Sequence, residues 1–179
     1  MRTAMRYLHS CLLFLAIGLP LALGPAFAAC SGEGVVKSAG ASFVTAKQAG
    51  TADAFANAVA KHTDITALAL AALGPYRKEL KPDKQAEYIA RTKAYIGRFF
   101  LRYSDRFTQG TLVIDSCAGD LVKTTSGTNN LVWKVSGGKI RDVQISGIWL
   151  ANQMRAKFVS EIRRGGHEKI DALFRFLGN

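Results

Sequence analysis

His62 and His167, together with Asp115, Asp120 and Asp142, are the first side chains to test for acid–base work near neutral pH. Their spacing does not build a site. The sequence contains no H-E-x-x-H, no C-x-x-C, no G-x-S-x-G and no phosphate-binding glycine loop. His62 falls at an expected helix end and His167 follows Gly165-Gly166 among charges, so both are expected at the surface. A small enzyme would need a carboxylate or histidine at the base of a pocket, with a displaced pKa. The pattern favours binding over catalysis, and neither a metal nor a cofactor is expected.

Sulfur chemistry depends on the compartment. Arg2 and Arg6 precede an apolar run from Cys11 to Leu23, and Ala26-Phe27-Ala28 is an A-x-A cleavage site. Residues 1–28 therefore read as a secretory signal peptide, and no later run reaches the ~18 apolar residues a membrane span requires. Cys30 and Cys117 survive its removal. In an oxidising compartment an even pair suggests a disulfide, here closing a loop of about 87 residues. Ala28-Ala29-Cys30 also resembles an imperfect lipoprotein box, with Phe27 where Leu is usual. The two readings exclude one another, since a lipidated Cys30 has no thiol to pair.

Processing lowers the formal charge from +11 to about +9, concentrated in two stretches, 77–106 and 133–175, of about +5 each. Export argues against nucleic acid. An acidic partner or an anionic membrane surface fits the compartment, and two solvated helix faces would give the same composition.

The elements follow from periodicity. Residues 29–50 carry little pattern and read as an N-terminal tether or a short first helix, leaving 51–179 as one domain. Asp64 is the expected N-cap of a helix ending at Gly74-Pro75. Lys81-Pro82-Asp83 opens a long helix to about Arg106, with Ile89, Ile96 and Tyr103 on one face and Arg91 and Arg98 opposite. Tyr88, Tyr95, Phe99 and Phe100 widen its apolar stripe. From Gly110 the period becomes two, giving three or four antiparallel strands. Leu131, Trp133 and Val135 alternate up to Gly137-Gly138, and Val143 and Ile145 alternate after it. Leu150, Met154, Phe158 and Ile162 then mark a helical face. Helices, then a meander, then a helix make an α+β domain with helices on one face of a curved antiparallel sheet.

Several phrases are less common than these periods. Asp142-Val143 with Gly147, then Asn152, Arg155 and Phe158, form D-V-x-x-x-G followed by N-x-x-R-x-x-F. Leu73-Gly74-Pro75-Tyr76 precedes them, and Gly166 with Ile170, Leu173 and Leu177 follows. In order and spacing they resemble the MlaC-type family, the toluene-tolerance auxiliary proteins of an ABC lipid transporter. Trp149, where that family commonly has Ser, and Lys139, where a Trp often stands, mark a divergent member.

The resemblance implies a periplasmic carrier with a cone-shaped, NTF2-like cavity and no cofactor. Its cargo would be phospholipid or another membrane lipid. Its implied partners are an inner-membrane ABC transporter with its membrane-anchored lipid-binding subunit and an outer-membrane lipoprotein complex. A hopanoid-linked carrier is the variant reading. Exposing a 16-carbon chain costs on the order of 12 kcal/mol, so a shuttle must bury it. Under this reading Tyr95, Phe99, Tyr103, Trp133, Val143, Ile145, Met154 and Phe158 are expected to contact lipid. Arg155 is expected either to meet a phosphate or to pair with Asp142.

Overall fold

The computed structural model describes residues 30–107 and 112–178; the expected signal peptide lies outside them. The stretch 29–50 is helix rather than tether. Helix α1 (Glu33–Ala49) buries Val36, Ala39 and Ala46, with Phe43 packed against the same core. Positions 36, 39, 43 and 46 share one helical face, but alanines add so little apolar area that the stripe is faint in the sequence.

Helix α2 (Ala52–His62) starts on Thr51, whose hydroxyl accepts the Ala54 amide at 3.2 Å. Helix α3 (Ile65–Ala72) starts on Asp64, whose carboxylate accepts the Ala67 amide at 3.0 Å. Each cap satisfies an amide that the first helical turn leaves orphaned. Pro82 opens a short 3-10 turn, and α4 (Gln85–Arg102) follows. It ends at Arg102 rather than near Arg106, with α5 (Ser104–Phe107) a separate turn of helix.

The buried line of α4 is Tyr88, Thr92, Ile96 and Phe100, spaced by four rather than seven. The Tyr88 hydroxyl donates to the Ala69 carbonyl at 2.7 Å, tying α4 to α3 inside the core. Burial pushes its ionisation far above the ordinary tyrosine range. Tyr88→Phe is expected to cost about 1–2 kcal/mol by urea denaturation, since only the hydrogen bond is lost and the ring still fills its site.

Five antiparallel strands form a meander in the order β1-β2-β3-β4-β5. They are β1 (Val113–Ala118), β2 (Leu121–Ser126), β3 (Asn129–Ser136), β4 (Lys139–Ile145) and β5 (Ile148–Trp149). Gly137 and Gly138 both take positive φ, 59° and 69°, which a two-residue turn matched to the strand twist demands. Trp133 faces Val143, but Val135 faces Ile140, so Arg141 is an extra residue on β4. That bulge brings Ile140 to the same buried side as Val143 and bends the strand.

Helices α6 (Leu150–Arg164) and α7 (Lys169–Gly178) complete the cover. The result is an α+β fold, helices packed against a curved, unclosed antiparallel sheet that leaves an open, NTF2-like cavity. Arg91 donates to the Phe174 carbonyl at 2.8 Å and Arg98 to the Leu177 carbonyl at 2.6 Å. These arginines lie off the buried stripe, as their spacing predicts, but they are not idle solvent charges: they hold the C-terminal carbonyls of α7. Cys30 and Cys117 are disulfide-bonded, with Cα atoms 5.7 Å apart, joining the entry to α1 to strand β1.

Candidate functional site

A cavity of about 420 Å³ lies between the helices and the sheet. Its helical wall includes Phe43 from α1, Val59 and His62 from α2, Leu68 from α3 and Phe100 from α4. Its sheet wall includes Leu131, Trp133, Ile140, Val143 and Ile145, and Leu150 at the start of α6 closes one side. Lys37, Ala41 and Val44 border it on successive turns of α1 and are exposed, so the cavity opens along that helix. The Trp133 ring is held by its indole N–H, which donates to the buried Thr124 hydroxyl at 2.8 Å. A donor satisfied this way leaves the ring's apolar body for the cavity.

Trp133, Val143 and Ile145, three of the residues expected to meet lipid, stand together on this wall. The other five do not border it. Tyr95, Phe99 and Met154 line a separate hollow of about 160 Å³ between α4 and α6. Phe158 is fully buried, with its ring 5.5 Å from Tyr95 and 6.4 Å from Phe176. Tyr103 lies against Phe99 at 4.9 Å. Leu150 borders both spaces.

Arg155 does not pair with Asp142. Its guanidinium Nε donates to the Ala71 carbonyl at 3.0 Å, and its stem passes close over Gly74, fastening α6 to the end of α3. Asp142 instead accepts from the amides of Val143 at 2.8 Å and Ala151 at 3.1 Å, fixing the start of α6 on the hairpin. Burial raises its pKa against those two hydrogen bonds and the pull of Lys134.

His62 is buried, contrary to the surface position its sequence context suggests, and it borders the cavity. Its Nε2 shares a hydrogen bond with the Ser42 hydroxyl at 2.8 Å. Burial first, then the charges of Lys61 and Lys139, lower its pKa from 6.5. Lys139 is brought there by donating to the Lys61 carbonyl at 2.7 Å, at the C-terminal end of α2. A histidine depressed in the folded state takes up its proton first when unfolded, so stability falls as pH drops through about 6.5 toward the folded pKa. His62→Gln is expected to flatten that part of the profile, measured as the urea midpoint between pH 7.5 and 5.

Among the described residues no group of three or more His, Cys, Asp or Glu is placed to hold a metal, and no helix is long and apolar enough to cross a membrane. An unclosed sheet, a helical cover and a largely apolar cavity with one open side together form a concave pocket of the kind that takes an apolar ligand. The profile of the MlaC protein family matches residues 38–179, and the chain belongs to that family. It is also similar in fold to a phospholipid-binding protein from Ralstonia solanacearum, solved in complex with a phospholipid. That likeness has a TM-score of 0.67 at 20% identity and covers 82% of this chain and 94% of the other. No curated protein sequence matches.

Phe43 and Lys37 were not expected at the site because the stretch 29–50, open between a tether and a short first helix, shows no clear apolar stripe. Nor was His62, because a histidine at a helix end ordinarily faces water, and the carboxyl end of α2 happens to meet the sheet at Thr63 and Ile140.

Proposed function

We propose that the protein is a periplasmic lipid carrier, taking phospholipid or a related lipid from one membrane to the other. The observation that carries this is the cavity itself: largely apolar, bounded by helices on one side and the sheet on the other, and open along α1. Such a space lets acyl chains leave water while the head group stays outside. Membership of the MlaC family and the likeness to a protein solved with a phospholipid support it. The same family context supports an inner-membrane ABC transporter with its lipid-binding subunit as donor or acceptor, and an outer-membrane lipoprotein complex as the other. Trp133, Val143 and Ile145 are the sheet residues that would contact the chain.

Native mass spectrometry of the protein from its own periplasm is expected to show a co-purifying lipid. Delipidated protein that keeps its fold and takes up no labelled phospholipid would sink the proposal.

One observation favours a second reading. The cavity wall is not wholly apolar, since His62 and Asp142 border it with displaced pKa values. Each already has a structural bond, His62 to Ser42 and Asp142 to the start of α6. Acid–base chemistry there predicts a pH-dependent turnover of bound ester abolished by His62→Gln. Lipid recovered unchanged after long incubation rules it out.

A further inference from the structure

We infer that His62 is a specificity-determining residue of the cavity, whose free ring nitrogen donates a hydrogen bond to an acyl-ester carbonyl of the bound lipid. This rests on the carrier proposal and deepens it. His62 is 7% exposed and borders the cavity, and its Nε2 is bonded to the Ser42 hydroxyl at 2.8 Å. Among the described residues neither side chain has another hydrogen-bond partner. The arrangement that uses the Ser42 proton has the hydroxyl donating to Nε2, which puts the ring proton on Nδ1. Among the described side chains, the Thr92 hydroxyl is the one polar group both sealed from solvent and unpartnered. Nδ1 is therefore not sealed, and the space that His62 borders is the cavity.

The position of the pair fits the neck of a lipid rather than its head or chain ends. Ser42 stands on α1 between Ala41, on the exposed rim, and Phe43, on the cavity wall. Just beneath a rim is where buried chains join a head group left in water. That junction carries ester carbonyls, which accept and cannot donate, so a lone donor matches them. A ligand that covers Nδ1 without supplying an acceptor leaves a stripped donor and binds less tightly. Two other polar groups on the wall suit a carbonyl less. Lys37 is paired with Glu33, and Asp142 is an acceptor already held by the Val143 and Ala151 amides.

The surrounding charges keep the ring neutral. Lys61 precedes His62 on α2 and Lys139 reaches it from β4, and both oppose its protonation. The carboxylates at the start of α1 and before α3, Glu33 and Asp64, are paired with Lys37 and Arg141. A lipid lying over Nδ1 displaces its remaining water and holds the ring neutral more firmly still. Acid therefore favours the empty cavity, and lipid affinity falls as pH drops below 6.5.

The test sets dipalmitoyl phosphatidylcholine against its dihexadecyl ether analogue, which lacks both carbonyls. Delipidated protein is mixed with vesicles holding equal amounts of the two, and native mass spectrometry reads the complexes. The wild type is expected to favour the ester about fivefold, the effect of one neutral hydrogen bond. His62→Leu is expected to take both lipids equally, and His62→Gln, which keeps an N–H donor, to retain part of the preference. Between pH 7.5 and 5 the wild type's affinity for the ester is expected to weaken with acid, while that of His62→Gln stays flat. Equal uptake of ester and ether by the wild type overturns the inference and leaves the carrier standing. A preference that survives His62→Leu also overturns it, placing the donor on Thr63 or Ser126. If His62→Leu does not fold, NMR titration of the wild-type ring decides. A His62 pKa lower with the ester bound than without it supports the contact, and an unchanged or raised one overturns it. Uptake of neither lipid overturns the carrier proposal as well.

Discussion

Replacing Cys30 and Cys117 together by serine is expected to lower the unfolding free energy by about 4–5 kcal/mol, the loop-closure entropy restored to an unfolded chain when 87 residues are released. Both positions are partly exposed, so the new hydroxyls reach water and add little penalty of their own. For a chain of this size a loss of that magnitude lowers the thermal midpoint by roughly 10–20 °C. Scanning calorimetry of the wild type with and without reductant should reproduce the shift, while the double variant should ignore reductant. An unchanged midpoint in both experiments would mean that the sulfurs are not joined in the purified protein. The loss reaches function through α1. The disulfide anchors the residue that leads into that helix, and the helix carries the cavity rim at Lys37, Ala41 and Val44. Loosening it should speed lipid release before it unfolds the domain.

The β3–β4 hairpin was legible in the sequence because two signals agreed. Gly137-Gly138 meets the turn's demand for positive φ, and Leu131, Trp133 and Val135 alternate as a half-buried strand must. The bulge at Arg141 was not legible, since one extra residue leaves composition and turn chemistry unchanged. For the candidate site the division is sharper. Trp133, Val143 and Ile145 share the cavity side because alternate residues of a strand point to the same one of its two faces. Tyr95, Phe99 and Phe158 present the same aromatic spacing whether they face a void or one another, and only the geometry of α4, α6 and α7 distinguishes these. Periodicity reports which way a side chain points, not what lies opposite.

Gly97 is the position where that distinction turns into the second large effect. In a helix interior glycine is worse than alanine by roughly 1 kcal/mol, so propensity alone predicts that Gly97→Ala stabilises. The structure reverses the sign. A Cβ at Gly97 would stand 2.3 Å from the Ala52 carbonyl oxygen, 2.8 Å from the Ala56 Cβ and 3.1 Å from the Ala56 amide nitrogen. Two of those three atoms are backbone of α2, so relief requires moving a helix rather than turning a side chain. Overpacking of this kind costs about 1–3 kcal/mol and occasionally more, and a 2.3 Å approach to a backbone oxygen lies at the upper end, so the cost exceeds the propensity gain already for alanine and further for anything larger. Gly97→Ala is expected to lose about 1–2 kcal/mol and Gly97→Leu about 3 kcal/mol or more by urea denaturation. A stabilised Gly97→Ala variant would show that α2 and α4 part without cost. The functional consequence should exceed the thermodynamic one. α2 contributes Val59 and His62 to the cavity, and α4 contributes Phe100. Forcing these helices apart displaces residues that line the cavity, so Gly97→Ala should also change the affinity for labelled phospholipid. Close approach at one glycine therefore sets both how tightly the helices pack and where Val59, His62 and Phe100 stand in the cavity wall.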